Sequence, residues 1–386
     1  MAIAAVVQPS LLSWAVVRGR RDETSIVEKW PTYREWLMGS RSPSMRQLEG
    51  FARYTHTPLG YFFLPEPPDE SIPIPDFRTL ENQGFPARPS ADLLDTIYAC
   101  QSRQEWYREY AEREGFSSLP FAGSVSSSTN VQIVAGAISD RLGLDVAQRN
   151  RQKNRDDLRS YLIHACESQG ILVTVSGIVG SDTHRVLDPQ EFRGFTLFDT
   201  VAPLIFVNGR DTKSAQIFTL LHELAHVWAG DSGLSDADAA SVNAHAEELW
   251  ANRVAAEVLV PGAILEEKYT GRTGTAELDA LADFFKVSTL VVLKSIYDNG
   301  YLEWDDYRLL YTNELHRALA NMTANNTSRR GGNYYNTHPF RVGGRQFVRA
   351  VVADTLGGST LYRDAYSLLG VSGHSTFEQL AQKVMS

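Results

Sequence analysis

Between Ala215 and Ala229 of this 386-residue chain, Ile217, Phe218, Leu220, Leu221, Leu224 and Val227 recur at helical spacing, a pattern that suits a helix sunk into a core. Set into that apolar run is the pentad His222-Glu223-Leu224-Ala225-His226. Its two imidazoles stand four residues apart and so share one helical face, while Glu223 sits one position round. Two imidazoles on one face can bind a single Zn²⁺, with Glu223 reaching a water rather than the ion.

A five-residue pattern of this looseness also arises by chance, and a buried helix can carry histidines that only hydrogen-bond within the core. A catalytic zinc site needs a third protein ligand and an open position. Glu248 offers that ligand from the next predicted helix, Val242 to Val260, which Pro261-Gly262 closes. Asn252, four residues on, faces the same way and can accept a hydrogen bond from the distal nitrogen of a ligating histidine. Ala244, Ala251 and Ala255 let the two helices approach closely. His245, one turn before Glu248, is a rival ligand. With zinc in place Glu223 is the general base, and peptide hydrolysis is the natural outcome.

Short apolar runs before the pentad read as sheet: Ile171 to Val175, Phe192 to Phe198, and Pro203 to Val207 ahead of Asn208-Gly209. The last is either an edge strand able to pair with an extended substrate or an internal strand buried on both faces. Upstream, the chain to about Glu70 reads as short helices with tight turns, among them one opening at Leu11 and one from Met45 that Ser44 can cap. Pro65 to Pro75 is too proline-dense for helix and marks a connector. Ala91 to Glu114 and Val131 to Leu142 read as helices separated by the serine-rich Ser124 to Asn130. Asn321 to Gly332 reads as a mobile linker before a C-terminal piece. The organisation expected is α+β, in four parts: a helix-turn-helix-like bundle at 1–70, a connector at 71–130, a metallopeptidase domain with a small sheet at 131–310, and a C-terminal domain at 311–386.

The net charge of −9 argues against a protein that coats nucleic acid through a global positive field. Two well-separated cysteines form neither a disulfide framework nor a CxxC pair, which fits a reducing, cytoplasmic compartment. Met1 to Val7 is apolar but lacks a basic flank, and no apolar run approaches the ~20 residues of a membrane helix.

In several blocks, and in order, the sequence resembles the ImmA/IrrE metallopeptidases with an N-terminal Xre-type helix-turn-helix. The blocks are Glu191 to Phe195, Pro203 to Asn208, Phe218 to His226 and Glu248 to Pro261, with Leu48 to Pro68, Pro73 to Thr79, Gly331 to Tyr335 and Ala365 to Gly370 outside them. The resemblance implies a gluzincin-like zinc endopeptidase with His222, His226 and Glu248 as metal ligands and Glu223 as the catalytic glutamate. It implies site-specific cleavage of a partner regulator, typically a helix-turn-helix repressor of a phage, mobile-element or stress-response circuit. Chains of this fused kind also resemble antitoxins that neutralise a toxin such as a PIN-type ribonuclease.

One departure concerns the N-terminal module. Asp22 to Tyr33 lacks a clean helix-turn-helix pattern, and Pro31 breaks helix there. Nine basic residues up to Arg78 face nine acidic ones, so no net positive charge awaits phosphates, and protein docking fits the module at least as well as DNA binding. Leu278 to Ile296 has a second helix-turn-helix-like spacing but only Lys286 and Lys294, and reads as structural. The C-terminal piece, from Arg329 on, is more basic, with seven cations against three acids. His184 and Arg193 fit solvated or structural roles better than substrate binding.

Overall fold

The computed structural model describes residues 5–76, 89–235, 246–325 and 334–385. It divides into two compact units, Met1–Pro73 with Gln83–Ile97, and Ile74–Asn82 with Tyr98–Ser386.

The first unit is built from α1 (Pro9–Arg18), α2 (Glu23–Lys29), α3 (Tyr33–Leu37), α4 (Met45–Tyr54) and a 3-10 turn at Leu59–Phe63. Pro9 starts α1 rather than interrupting it, since the first helical position needs no N–H. Pro31 lies in the short turn between α2 and α3. Ser44 caps α4 in a reciprocal box: its Oγ accepts from the Gln47 N–H, and Gln47 Oε1 accepts from the Ser44 N–H at 2.9 Å. Phe51 centres the core, its ring 5.5–6.1 Å from those of Trp30, Tyr33, Trp36 and Phe62. Gly19 ends α1 where a Cβ would meet the Thr55 carbonyl oxygen at 2.6 Å, so no larger residue fits.

The next helix is α5 (Ala91–Arg113), its residues to Ile97 counting with the first unit and the rest with the second. The second unit continues with α6 (Val131–Leu142), α7 (Val146–Arg151) and α8 (Arg155–Ser168), then β1 (Leu172–Ser176), β2 (Ile178–Val179), β3 (Asp182–Val186), β4 (Gly194–Leu197) and β5 (Leu204–Asn208). After α9 (Lys213–Ala229) come β6 (Gly233–Ser235), α10 (Ala246–Leu259), α11 (Gly262–Lys268), α12 (Thr275–Phe285), α13 (Thr289–Asp298), α14 (Trp304–Asn325), α15 (Tyr334–Arg341), α16 (Gly344–Leu356), α17 (Tyr362–Leu369) and α18 (His374–Met385).

Four strands form a mixed sheet in the order β1-β5-β4-β6, with β1 parallel to β5 and the other pairs antiparallel. β2 and β3 form a separate hairpin. Pro203–Asn208 is therefore an interior strand, not an edge: β5 lies between β1 and β4 with all five residues buried. An unbroken Leu-Ile-Phe-Val run is what burial on both faces demands. α9 packs on β4 and β5 and against α8 and α10, so every residue from Gln216 to Trp228 is buried. α12 and α13 pack on each other through Leu278, Leu281, Phe285, Val291 and Val292 in the main core, the structural role expected for that stretch. The expected linker at Asn321–Gly332 is corrected as far as Asn325, which completes α14; residues 326–333 lie outside the described residues.

α15 and α16 pack on β1, and α16 also meets α8. Polar ties accompany these contacts: Arg103 Nε donates to the Leu368 carbonyl at 3.0 Å, Trp106 Nε1 to Thr360 Oγ1 at 3.1 Å, and the Arg345 N–H to Glu167 Oε1 at 2.7 Å.

Candidate metal centre

α9 is capped at its start by Thr212, whose hydroxyl accepts from the Ala215 N–H, and at its end by Gly230 in the left-handed region with φ of +83°. The chain from Thr212 to His222 carries the first imidazole into the core between sheet and α10. Ala251 and Ala255 are fully buried on α10, and small residues there allow the close approach. Ala244 and His245, the rival ligand, lie outside the described residues.

The structure brings His222, His226 and Glu248 together. Glu248 Oε2 is 3.2 Å from His222 Nε2, its Oε1 is 3.1 Å from His226 Nε2, and the two Nε2 atoms are 3.1 Å apart. Among the described residues this is the His/Cys/Asp/Glu group able to hold an ion, and all three members are buried. A tetrahedral zinc with ligands at ~2.0–2.1 Å separates neighbouring donors by about 3.3 Å. The donor triangle seen here is nearly that size. Two nitrogens and a carboxylate are also the donor chemistry that zinc takes, so the residues fit the ion.

His222 Nδ1 meets Asn252 Oδ1 at 2.9 Å. Asn252 Oδ1 can only accept, so Nδ1 carries the proton and Nε2 keeps its lone pair for a metal.

Glu223 stands apart from the triangle. Thr196 on β4 donates from Oγ1 to Glu223 Oε2 at 2.8 Å and also lies 3.0 Å from its carbonyl oxygen. Glu223 Oε1 is buried and has no hydrogen-bond partner among the described residues, as is true of Asn252 Nδ2. Gly194 makes room for that carboxylate: a Cβ there would sit 2.5 Å from Thr219 Cγ2, 2.8 Å from the Phe206 carbonyl oxygen and 2.9 Å from Glu223 Oε1. Ser235 on β6, in register with Gly194, places its Oγ 3.5 Å from Glu248 Oε1. Sequence reading missed Thr196, Gly194 and Ser235. A glycine within a strand pattern signals close backbone approach and could have found Gly194; nothing local marks the other two.

Burial raises the Glu223 carboxyl above its ordinary range, and the neighbouring Glu248 adds to this against the pull of the two imidazoles. Burial would raise Glu248 too, but His222 and His226 outweigh it and hold that carboxyl well below the usual range. His222 moves upward, since Glu248 and Glu223 overcome its own burial. The two carboxylates are thus driven in opposite directions, one toward holding a proton and one toward staying ionised.

Residues 166–297 match the family model described as IrrE N-terminal-like domain (Peptidase_M78). The match spans α9 and α10 and supports the resemblance to the ImmA/IrrE family and, with it, a metallopeptidase-type protease. Residues 344–383 match a family model for a domain of unknown function, DUF8813, which covers α16 and α17 and most of α18. No curated protein and no solved structure matches the chain. Among the described residues, no helix is long and apolar enough to cross a membrane.

The remaining predicted positions lie elsewhere. His184 is exposed on β3, and Arg193 pairs with Asp211 at 3.7 Å. In the first unit Arg18 pairs with Glu70, Arg34 with Glu23 and Arg41 with Glu35, so three of its basic residues have acidic partners among the described residues.

Proposed function

We propose that the protein is a zinc-dependent endopeptidase that cleaves a partner transcriptional repressor in a phage, mobile-element or stress-response circuit. The observation that carries this reading is the buried triangle of two imidazoles and a carboxylate beside a separately held glutamate whose second oxygen has no partner among the described residues.

His222, His226 and Glu248 would hold the zinc, with Asn252 fixing the His222 tautomer. The ion, when bound, supplies Lewis acidity to a substrate carbonyl and lowers the pKa of water. Thr196 engages Glu223 Oε2, which leaves Oε1 to take a proton from the attacking water and pass it to the leaving amine. Its upward-shifted carboxyl suits a group that must carry that proton between two steps. Packing around α9 excludes bulk water.

Glu223→Gln tests this directly. The variant is expected to bind one zinc per chain as the wild type does and to lose repressor cleavage by roughly a thousandfold, within the range removed with a general base and its positioning. Zinc is read by metal analysis and cleavage by mass spectrometry of the partner repressor. Biological activity undiminished by Glu223→Gln would instead support an antitoxin-like role, with a toxin such as a PIN-type ribonuclease as the partner.

A further inference from the structure

The outermost strand of the sheet, β6, does not have a bare edge. β4 pairs with one side of it, and on the other side the Leu234 N–H donates to the Pro75 carbonyl at 2.8 Å, with Asp76 bridging Leu234 in parallel. The stretch Ile74 to Asp76 thus lies along the sheet as a rudimentary fifth strand. Its position relative to the metal centre is close in register. Ser235, the residue after Leu234, reaches toward Glu248, and the β4 residue paired with Ser235 is Gly194, which abuts Glu223.

We propose that the edge of β6 opposite β4 is where an extended peptide docks on this protein, and that Ile74–Asp76 is a built-in occupant that must leave before a substrate strand pairs there. The proposal deepens the peptidase reading and rests on it for the word substrate; the docking edge itself does not depend on catalysis.

Three features make the strap suited to displacement. Ile74 is its one buried side chain, while Pro73, Pro75 and Asp76 are exposed. Prolines at 73 and 75 hold the residues before them extended, so the strap is already shaped as a strand. The same prolines have no N–H to give, so the strap cannot extend its pairing as an ordinary strand does. An incoming segment with N–H groups at those positions makes more hydrogen bonds to the edge, which is the way peptides add to sheets. The strap is also where the chain passes from one compact unit to the other, at Pro73 and Ile74.

The test uses full-length protein carrying Glu223→Gln, so that nothing is hydrolysed, with and without Ile74→Asp, which unseats the buried anchor. The probe is a fluorescein-labelled peptide of residues 70–76. Binding at least tenfold tighter to the Ile74→Asp protein, together with faster deuterium exchange of the Leu234 amide in that protein without peptide and its slowing when peptide is added, is the expected result. Equal affinity for both proteins, no binding to either, or unchanged exchange at Leu234 overturns the proposal. Ile74→Ala provides the same readouts if the aspartate variant fails to fold. Failure of the peptidase reading would show separately, as an intact zinc site without repressor cleavage, and would leave these measurements unaffected.

Discussion

The helix pairs α9–α10 and α8–α16 both bury a glutamate, and the two carboxyls titrate in opposite directions. Glu248 on α10 faces two imidazoles and is held low, whereas Glu167 on α8 is pushed up to about 7 by burial, against weaker opposition from the Arg345 N–H and the charges of Arg345 and Arg349. Both side chains are at least nine-tenths buried. The difference lies in what converges on them. Glu248 meets two imidazole nitrogens that themselves stand 3.1 Å apart, and Glu167 meets the N-terminus of α16, where Gly344 leaves room for it: a Cβ there would fall 1.8 Å from Glu167 Oε1. A buried acid alone marks a strained or structural position; a buried acid that shares a focus with other donors marks a site.

The sharpest way to break this contrast is to remove the carboxylate from each. Glu248→Ala deletes one of three protein donors. Whole structural zinc sites are worth about 10–16 kcal/mol, so one ligand in three or four corresponds to a drop in zinc affinity on the order of a thousandfold. Competition against a chromophoric chelator measures it, and an affinity within tenfold of wild type would mean that Glu248 does not hold the ion.

At Glu167 the same deletion of charge is expected to stabilise. Its folded pKa, about 7, lies above its ordinary value of 4.5, so between those values the folded chain keeps a proton that the unfolded chain has released. Stability from this group therefore falls as pH rises from 4.5 to 7 and is lowest above 7. The full effect is about 3 kcal/mol. Glu167→Gln keeps an acceptor for the Arg345 N–H and removes the titration. Thermal unfolding from pH 5 to pH 8 should show a decline in Tm for the wild type that the variant lacks. Parallel profiles would mean that Glu167 is ionised in the native protein.

The two regions also differ in how much of them the sequence displays. The His222–His226–Glu248 triangle rests on spacings within two helices: His222 and His226 are four apart, and so are Glu248 and Asn252, and each helix declares itself by its apolar period. Ser44 as the cap of α4 was legible for the same local reason. Thr196 and Ser235 were not, because their roles depend on β4 lying between β5 and β6 in a particular register, and register is fixed by contacts far apart in the chain. The Glu167 contact is less legible still. It joins residues 178 positions apart, and a double glycine, Gly343-Gly344, reads locally as nothing more than a turn.

Asn252 offers the finest adjustment of the comparison, since it touches no metal position and acts only through His222. With Asn252→Ala the His222 Nδ1 proton loses its acceptor inside a dry core, and the ring is free to take the other tautomer or to rotate. Loss of such a partner costs about 10–100-fold in metal affinity. Asn252→Asp restores an acceptor at the same place and should return the affinity to within a few-fold of wild type, which a purely packing role for Asn252 would not produce. Chelator competition on the three proteins reads both changes. If alanine and aspartate weaken zinc binding equally, the side chain fills space beside α9, and the orientation of His222 is set by the helix alone.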